Sequence, residues 1–226
     1  MTAAIAHTGA ISGRHIRAFM RQPWWIAISL MQPVIYLLLF SQLFSAMGAL
    51  PAFGGSYLDF LLPGIVVMSA LLSGGWAGTA SIDDIERGVM DRVLVTPARR
   101  SAVILGHLGQ QAVIVVIQAV VLIALGVAIG ARFDGGVAGI AAMLVASILL
   151  GSAIGALSHA IALKTRTQET LIAVSQGIIL PMTFLSTVFM VPELMPDWMA
   201  AVAAFNPLTW AVDASRTALE GPSDGP

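Results

Sequence analysis

Residues 103–129 read VILGHLGQQAVIVVIQAVVLIALGVAI and contain no Asp, Glu, Lys or Arg. A helix needs roughly 20 mainly apolar residues to cross the hydrocarbon layer of a membrane, which is about 30 Å thick. This stretch is therefore predicted to span a membrane. In the whole chain, hydrophobic residues make up 58% and charged residues 10%, whereas soluble domains carry about 25% charged residues. Such a composition excludes an ordinary water-soluble globule of this length.

Four more segments have the length and apolar character of membrane spans. The five predicted spans are Trp24–Phe44, Phe60–Ala80, Val103–Ile129, Val137–Leu163 and Leu171–Val191. No internal repeat or long linker divides the chain, so residues 1–226 are expected to form a single transmembrane domain. The predicted fold class is all-α, a polytopic transmembrane helical bundle of about five spans.

The positions of the basic residues predict how these spans are oriented. Lys and Arg concentrate in cytoplasmic loops of membrane proteins. If the five spans are correct, nine of the 11 basic residues lie on one side of the membrane: Arg14, Arg17, Arg21, Arg87, Arg92, Arg99, Arg100, Lys164 and Arg166. Only Arg132 and Arg216 lie on the other side. The N-terminus is therefore predicted to be cytoplasmic, and the tail after Val191 to face outside.

The loop Ser81–Gly106, predicted to be cytoplasmic, has the pattern of an amphipathic helix. Ser81 is a suitable N-cap residue, and apolar residues follow at helical spacing; they are Ile82, Ile85, Val89 and Val93. Asp83, Arg87 and Asp91 line another face, and Pro97 disfavours a helical residue before it. Two interpretations stay open: an interfacial helix that only anchors the loop, and a helix that docks into a cytoplasmic partner.

This loop also contains a run of residues typical of one protein family. The run consists of Glu86-Arg87-Gly88, Leu94, Thr96-Pro97-Ala98-Arg99-Arg100 and Gly106. It resembles the signature of ABC-2 type transporter permeases, the membrane subunits of ATP-driven exporters. Four further stretches are similar to daunorubicin-resistance-type members of that family: Arg21-Gln22-Pro23, Gln32-Pro33, Leu58-Asp59-Phe60-Leu61-Leu62-Pro63-Gly64 and Phe205-Asn206-Pro207-Leu208-Thr209-Trp210.

The resemblance implies a coupling helix after the second span, seated in a groove of a separate cytoplasmic ATP-binding subunit. By position this helix is Asp84–Leu94, with contacts expected from Asp84, Glu86, Arg87, Met90, Asp91 and Leu94. Ile11–Arg21 resembles the family's interface helix, which places Arg14, Arg17 and Arg21 near the same subunit. ATP and Mg²⁺ are expected on the partner and no cofactor on this chain. A second permease subunit, identical or not, is expected to complete the pathway.

The C-terminal region both fits the family and departs from it. Pro192–Arg216 resembles the external re-entrant pair of short helices that precedes the family's last span, although a plain outer loop is an alternative. The family usually has six spans, but no apolar run of spanning length follows Asn206-Pro207. We therefore expect either a truncated chain or a five-span variant. Besides a permease, a non-transporting or degenerate membrane scaffold and, less favoured, a membrane-embedded enzyme stay open.

The spans contain few ionisable residues, which favours an amphipathic drug-like or lipid substrate over an ion or proton relay. Polar residues inside the spans give a tentative substrate path: Gln32, Gln118, Gln176 and Thr183. No catalytic residue or metal site is expected, because no two histidines lie at ligand spacing. His107 is expected at the membrane interface, and for His159 a functional role is open.

Three pairs of glycines would allow helices to approach closely. They are Gly74-x-x-x-Gly78, Gly126-x-x-x-Gly130 and Gly151-x-x-x-Gly155. The pairs fit packing inside one subunit, and they also fit a seam between two subunits. The sequence does not separate the two.

Overall fold

The computed structural model of the chain describes residues 23–50, 53, 56–88 and 100–220, and its regular elements are helices throughout that part. The α-helices are α1 (Pro23–Leu43), α2 (Tyr57–Trp76), α3 (Thr79–Glu86), α4 (Arg100–Ala128), α5 (Gly136–Thr165), α6 (Gln168–Phe184), α7 (Asp197–Ala203) and α8 (Pro207–Glu220). Short 3-10 helices cover Ser45–Ala49 and Pro192–Leu194. The predicted all-α bundle is confirmed.

Three of the predicted spans are helices long and apolar enough to cross a membrane, counted over the described residues. They are Tyr57–Glu86, Gly106–Ala128 and Gly136–Thr165. Helix α1 has 21 residues, Pro23–Leu43, of which only Ala27–Leu43 enter this count, and α6 has 17 residues. The second, third and fourth predicted spans are thus confirmed as spanning candidates, whereas the first and fifth stay predictions.

Helix α6 ends at Phe184 and not at the predicted Val191. The Asn206 side chain donates hydrogen bonds to the carbonyl oxygens of Met182 (2.7 Å) and Leu185 (2.6 Å). In a continuing helix the Met182 carbonyl would accept from the backbone four residues later. The sequence stays apolar beyond Phe184, as expected. The helix nevertheless ends there, because the Asn206 side chain occupies carbonyl oxygens at its end that a longer helix would bond to its own backbone.

Helix α2 lies at the centre of the bundle and packs against α1, α4, α5, α6 and α8. All side chains from Leu61 to Leu71 are buried. A helix that is apolar on every side, as α2 is, fits such an interior position.

Glycines bring α2 and α5 into close contact. A Cβ atom at Gly74 would lie 2.6 Å from the Gly151 carbonyl oxygen, and one at Gly78 would lie 2.5 Å from that of Ser158. No larger residue fits either place without moving backbone. The first and third glycine pairs therefore pack helices within one chain, which confirms the first of their two interpretations. Gly126 likewise packs on Leu62.

Helices α7 and α8 occupy the region predicted to contain an external pair of short helices. The end of α8 meets the start of α5, because the Gly135 N–H donates to the Leu219 carbonyl oxygen at 2.6 Å. Since α8 also packs along α5, the two helices run antiparallel, and α8 begins deeper in the bundle than it ends. This arrangement favours the re-entrant interpretation of Pro192–Arg216 over a plain outer loop.

Polar contacts join the ends of the long helices in two separate sets. At one end, the Gln168 side chain donates to Asp83 at 3.0 Å. At the other end, the Arg132 N–H donates to the Asp59 carboxylate at 2.9 Å. Segments predicted to lie on the same side of a membrane thus meet at the same end of the bundle. The assignment of the α3 end to the cytoplasm stays a prediction.

Candidate functional site

Helix α3 forms the start of the predicted coupling segment, but it is shorter than expected. It begins at Thr79 and ends at Glu86, where Gly88 adopts a left-handed backbone with φ of +65°. The Gly88 N–H donates to the Ile85 carbonyl oxygen at 3.0 Å, which closes the last turn. A glycine in this conformation ends a helix. The predicted helix Asp84–Leu94 is therefore wrong as one continuous element.

Several predicted contact residues lie outside the described part of the chain. They are Met90, Asp91 and Leu94 of the coupling segment and Arg14, Arg17 and Arg21 of the predicted interface helix. Their roles stay predictions.

The Tyr57–Glu86 span, which is α2 followed by α3, is longer than a membrane crossing requires. Its 30 residues would extend about 45 Å at 1.5 Å per residue. The hydrocarbon layer is only about 30 Å thick. Ala77 and Gly78 link α2 to α3 and keep right-handed helical backbone angles, so the chain stays helical from one to the other. Helix α3 is thus placed to project beyond the hydrocarbon at one end of the bundle.

Helix α3 is amphipathic and has one face anchored to the bundle. Ile82 is fully buried and forms a small apolar cluster with Ala162 and Leu171. Glu86 is exposed, and the Arg87 side chain is 75% exposed. Burial of one apolar face leaves the charged end of α3 accessible to another protein.

Ser81 has a different role from the predicted N-cap. It lies inside α3, buried, and its hydroxyl is 2.8 Å from Nδ1 of His159 on α5. The cap prediction is wrong because the helix begins earlier, at Thr79. The hydroxyl instead hydrogen-bonds to a side chain that is distant in sequence.

His107 and His159, which are 52 positions apart in the sequence, lie together beside α3. The rings of His107 and His159 stack with centroids 5.0 Å apart and planes 14° apart. His107 is 5% exposed and His159 is 2% exposed. The fold buries the His107 side chain between helices, while its expected place at the membrane interface stays a prediction. Among the described side chains, no group of three His, Asp or Glu could hold a metal ion.

The histidine pair connects α3 to two long helices. His107 Nε2 lies 3.3 Å from the Asp84 carboxylate, which is mostly buried. His159 makes the contact with Ser81 described above. Ser158 adds a third link, since its hydroxyl accepts from the Gly78 N–H at 3.0 Å and donates to the Gly75 carbonyl oxygen at 2.7 Å. Sequence reasoning missed Ser158, for which no local pattern gives a signal.

All four tentative path residues are described, and no hydrogen bond joins any two of them. Gln32 is exposed and donates to Tyr36 at 3.2 Å. Gln118 is buried and donates to Ser29, and the Thr183 hydroxyl bonds within its own helix. Gln176 borders a small pocket between α2 and α6. Their joint role as a path stays a prediction.

At the opposite end of the bundle, Arg216 of α8 fastens three segments together. Its guanidinium donates to the carbonyl oxygens of Thr187 (2.8 Å), Val188 (3.2 Å) and Phe60 (3.2 Å). It also lies 3.6 Å from the centroid of the Phe60 ring, a cation–π contact, and 3.6 Å from Asp213. In the sequence, Arg216 stands out only as a basic residue on the less basic side of the predicted bundle.

Comparison with known proteins gives consistent results. The profile described as "ABC-2 type transporter" matches residues 6–219. The chain is 31% identical, over 208 residues, to the daunorubicin resistance ABC transporter permease protein DrrB1 of Streptomyces coeruleorubidus, covering 92% of this chain and 73% of that protein. It is 25% identical to the inner membrane transport permease YadH of Escherichia coli K12, covering 96% and 84% of the two chains.

Proposed function

The chain belongs to the ABC-2 type transporter family, and we propose that it works as the permease subunit of an ATP-driven exporter. As a family member with several apolar helices, it is a multi-pass protein of the cell membrane and a membrane subunit of a transporter. In this proposal transport is outward, ATP on a separate subunit supplies the energy, and the energy enters the chain at α3.

The observation that carries the proposal is the position of α3. One face is anchored by Ile82 to α5 and α6, while Glu86 and Arg87 are exposed at its end. A helix with an apolar anchored face and a charged free end suits docking to a second protein. We therefore assign the exposed end of α3, with the residues that follow it, as the contact for a cytoplasmic ATP-binding subunit.

The complete exporter would contain two permease subunits and two ATP-binding subunits, with ATP and Mg²⁺ on the latter. Closure of the ATP-binding subunits on nucleotide would move α3 as a rigid lever. The long helices would then repack from an inward-open to an outward-open arrangement.

The proposed substrate is an amphipathic drug-like molecule or lipid. The spans carry few ionisable side chains, which disfavours a pathway for ions. The name of the relative DrrB1 refers to daunorubicin resistance. Daunorubicin is therefore a reasonable first compound for a transport assay with this chain.

Replacing Glu86 and Arg87 together by alanine is expected to weaken the complex with the ATP-binding subunit. Loss of two exposed contacts is expected to cost about 1.4 kcal/mol, which is a tenfold loss of affinity. Stimulation of ATPase activity by the permease should fall with the amount of complex. Quantitative co-purification from the native membrane and ATPase assays would measure both effects.

A matched control is the double replacement of Arg132 and Asp134 by alanine. These residues also form an exposed pair of opposite charge, but they lie at the other end of the bundle. The control should leave the complex unchanged. If the α3 double variant retains full complex formation and ATPase stimulation, α3 is not the docking contact. If the wild-type chain recovers no ATP-binding protein, the exporter proposal is wrong.

A further inference from the structure

We infer that Ser81, Asp84, His107 and His159 form a buried joint that makes α4 and α5 follow the movement of α3. We call these four residues the histidine joint. They are positioning residues, because they act through helices and need not contact a substrate. The inference rests on the proposed function, since the movement to be transmitted is the one that ATP would drive.

The joint is needed because the helical hydrogen-bond pattern is interrupted between α2 and α3. At Ala77–Gly78 the backbone keeps right-handed helical angles, but i→i−3 hydrogen bonds replace part of the α-helical pattern. A force on α3 would act first on this interruption, which Ser158 also holds through the Gly78 N–H. Ser81 and Asp84 lie three residues apart and so point to the same side of α3. Their partners lie on different long helices, His159 on α5 and His107 on α4. These two contacts, together with those of Gly78 and Ile82, oppose bending between α2 and α3.

The joint is also built to keep one geometry. Both imidazoles are almost fully buried, and their rings stack at 5.0 Å. Buried polar groups are costly when they lose their hydrogen bonds, so such a cluster resists partial opening. Displacing α3 from the spans would break the Ser81–His159 hydrogen bond and the Asp84–His107 contact, both of which involve almost fully buried imidazoles. Moving α3 together with the spans would break neither.

The two histidines use different ring nitrogens, and this difference gives a test. His159 contacts α3 through Nδ1, and His107 does so through Nε2. An asparagine amide can occupy the place of Nδ1, and a glutamine amide reaches the place of Nε2. The joint therefore predicts opposite preferences: asparagine replaces His159 better than glutamine does, and glutamine replaces His107 better than asparagine does.

A role in packing alone predicts a different result. Glutamine is closer than asparagine to the volume of histidine, so it would be preferred at both positions. If asparagine is preferred at position 159 and glutamine at position 107, the side-chain contacts decide the preference. If glutamine is preferred at both positions, side-chain volume decides it.

The test measures amide hydrogen exchange of the full chain in lipid nanodiscs for H159N, H159Q, H107N and H107Q. In the segment Thr79–Gly88, H159N and H107Q should exchange as slowly as the wild type. H159Q and H107N should exchange about tenfold faster. Q118N is the control, because Gln118 is also buried on α4 but bonds to Ser29, away from α3. It should leave exchange in α3 unchanged.

A second measurement uses the complex with the co-purified ATP-binding subunit, with and without ATP and Mg²⁺. In the wild type, ATP should change the exchange of α8, Pro207–Glu220, at the far end of the bundle. In H159Q and H107N the complex should still form, but the ATP-dependent change at α8 should be lost. In H159N and H107Q it should persist.

The outcomes separate the joint from the proposed function. The inference of a histidine joint is wrong if glutamine is preferred at both positions. It is also wrong if hydrogen exchange in neither Thr79–Gly88 nor α8 responds to the variants. If α3 exchange follows the predicted order but α8 still responds to ATP in H159Q, transmission through the joint is also wrong. If no ATP-binding protein associates with the wild type, the exporter proposal fails, and the order of exchange rates in α3 still decides whether the joint holds that helix.

Discussion

Replacing Arg216 by methionine is expected to lower the free energy of unfolding by about 3 kcal/mol, because hydrogen bonds from a charged group are lost and their acceptors are left unpaired. The Arg216 side chain is 13% exposed and donates to carbonyl oxygens of Phe60, Thr187 and Val188. Methionine fills a similar space but offers no donor. The segment after α6 would lose two of its hydrogen bonds to α8, those from Arg216 to Thr187 and Val188.

Titration with sodium dodecyl sulfate in mixed micelles would measure this loss for the purified chain. Arg132→Met is the control, because Arg132 is an exposed arginine at the same end of the bundle and surface changes usually stay within about 0.5 kcal/mol. Arg216→Lys should fall between the two, since lysine keeps the charge but lacks the planar fork of donors. An Arg216→Met chain as stable as the control would contradict the assigned role.

Replacing Asn206 by alanine is expected to cost about 2–3 kcal/mol of unfolding free energy, again through buried partners left unsatisfied. This side chain is 7% exposed. Its amide donates to Met182 and Leu185 at the end of α6, and its carbonyl oxygen accepts from the Leu208 N–H at 2.9 Å at the start of α8. One residue therefore completes the ends of two helices.

The same titration, with Asn206→Asp beside Asn206→Ala, would test this account. Aspartate keeps the acceptor for Leu208 but loses both donors to α6. The aspartate variant should not recover wild-type stability, and hydrogen exchange should increase at the end of α6. If alanine costs less than about 0.5 kcal/mol, as exposed positions do, the capping role is wrong.

Sequence alone predicted the parts of the fold that depend on long apolar runs. The stretch 103–129 and its two neighbours form the helices expected of them, because burial of apolar length needs no knowledge of partners. The glycines at 74 and 78 were recognised as contact points, but their partner was not. The fold was needed to show that Gly151 of the same chain faces Gly74.

The end points of helices were harder to predict because tertiary contacts decide them. The apolar run through Val191 continues past Phe184, yet Asn206 ends α6 there. The periodic pattern of the coupling segment likewise continues through Gly88, whose left-handed backbone ends α3. In both places a local pattern favoured a longer helix than the native structure forms.

The histidine joint could not be predicted at all from the sequence. Ser81 and His159 are 78 residues apart, and no spacing rule links side chains at that distance. The exposed end of α3 is different, because Glu86 and Arg87 belong to a motif that resembles the family. The residues proposed to contact a partner belong to a recognisable sequence pattern, whereas the residues proposed to hold α3 do not.

The central claim is that the α3 end of the bundle lies in the cytoplasm, where an ATP-binding subunit can reach it. The chain contains no cysteine, so single cysteines at Glu86 and Asp134 can be labelled with a membrane-impermeant maleimide on intact cells. The account predicts that Asp134→Cys reacts at once and that Glu86→Cys reacts only after the membrane is opened. Labelling of Glu86→Cys from outside intact cells would contradict it.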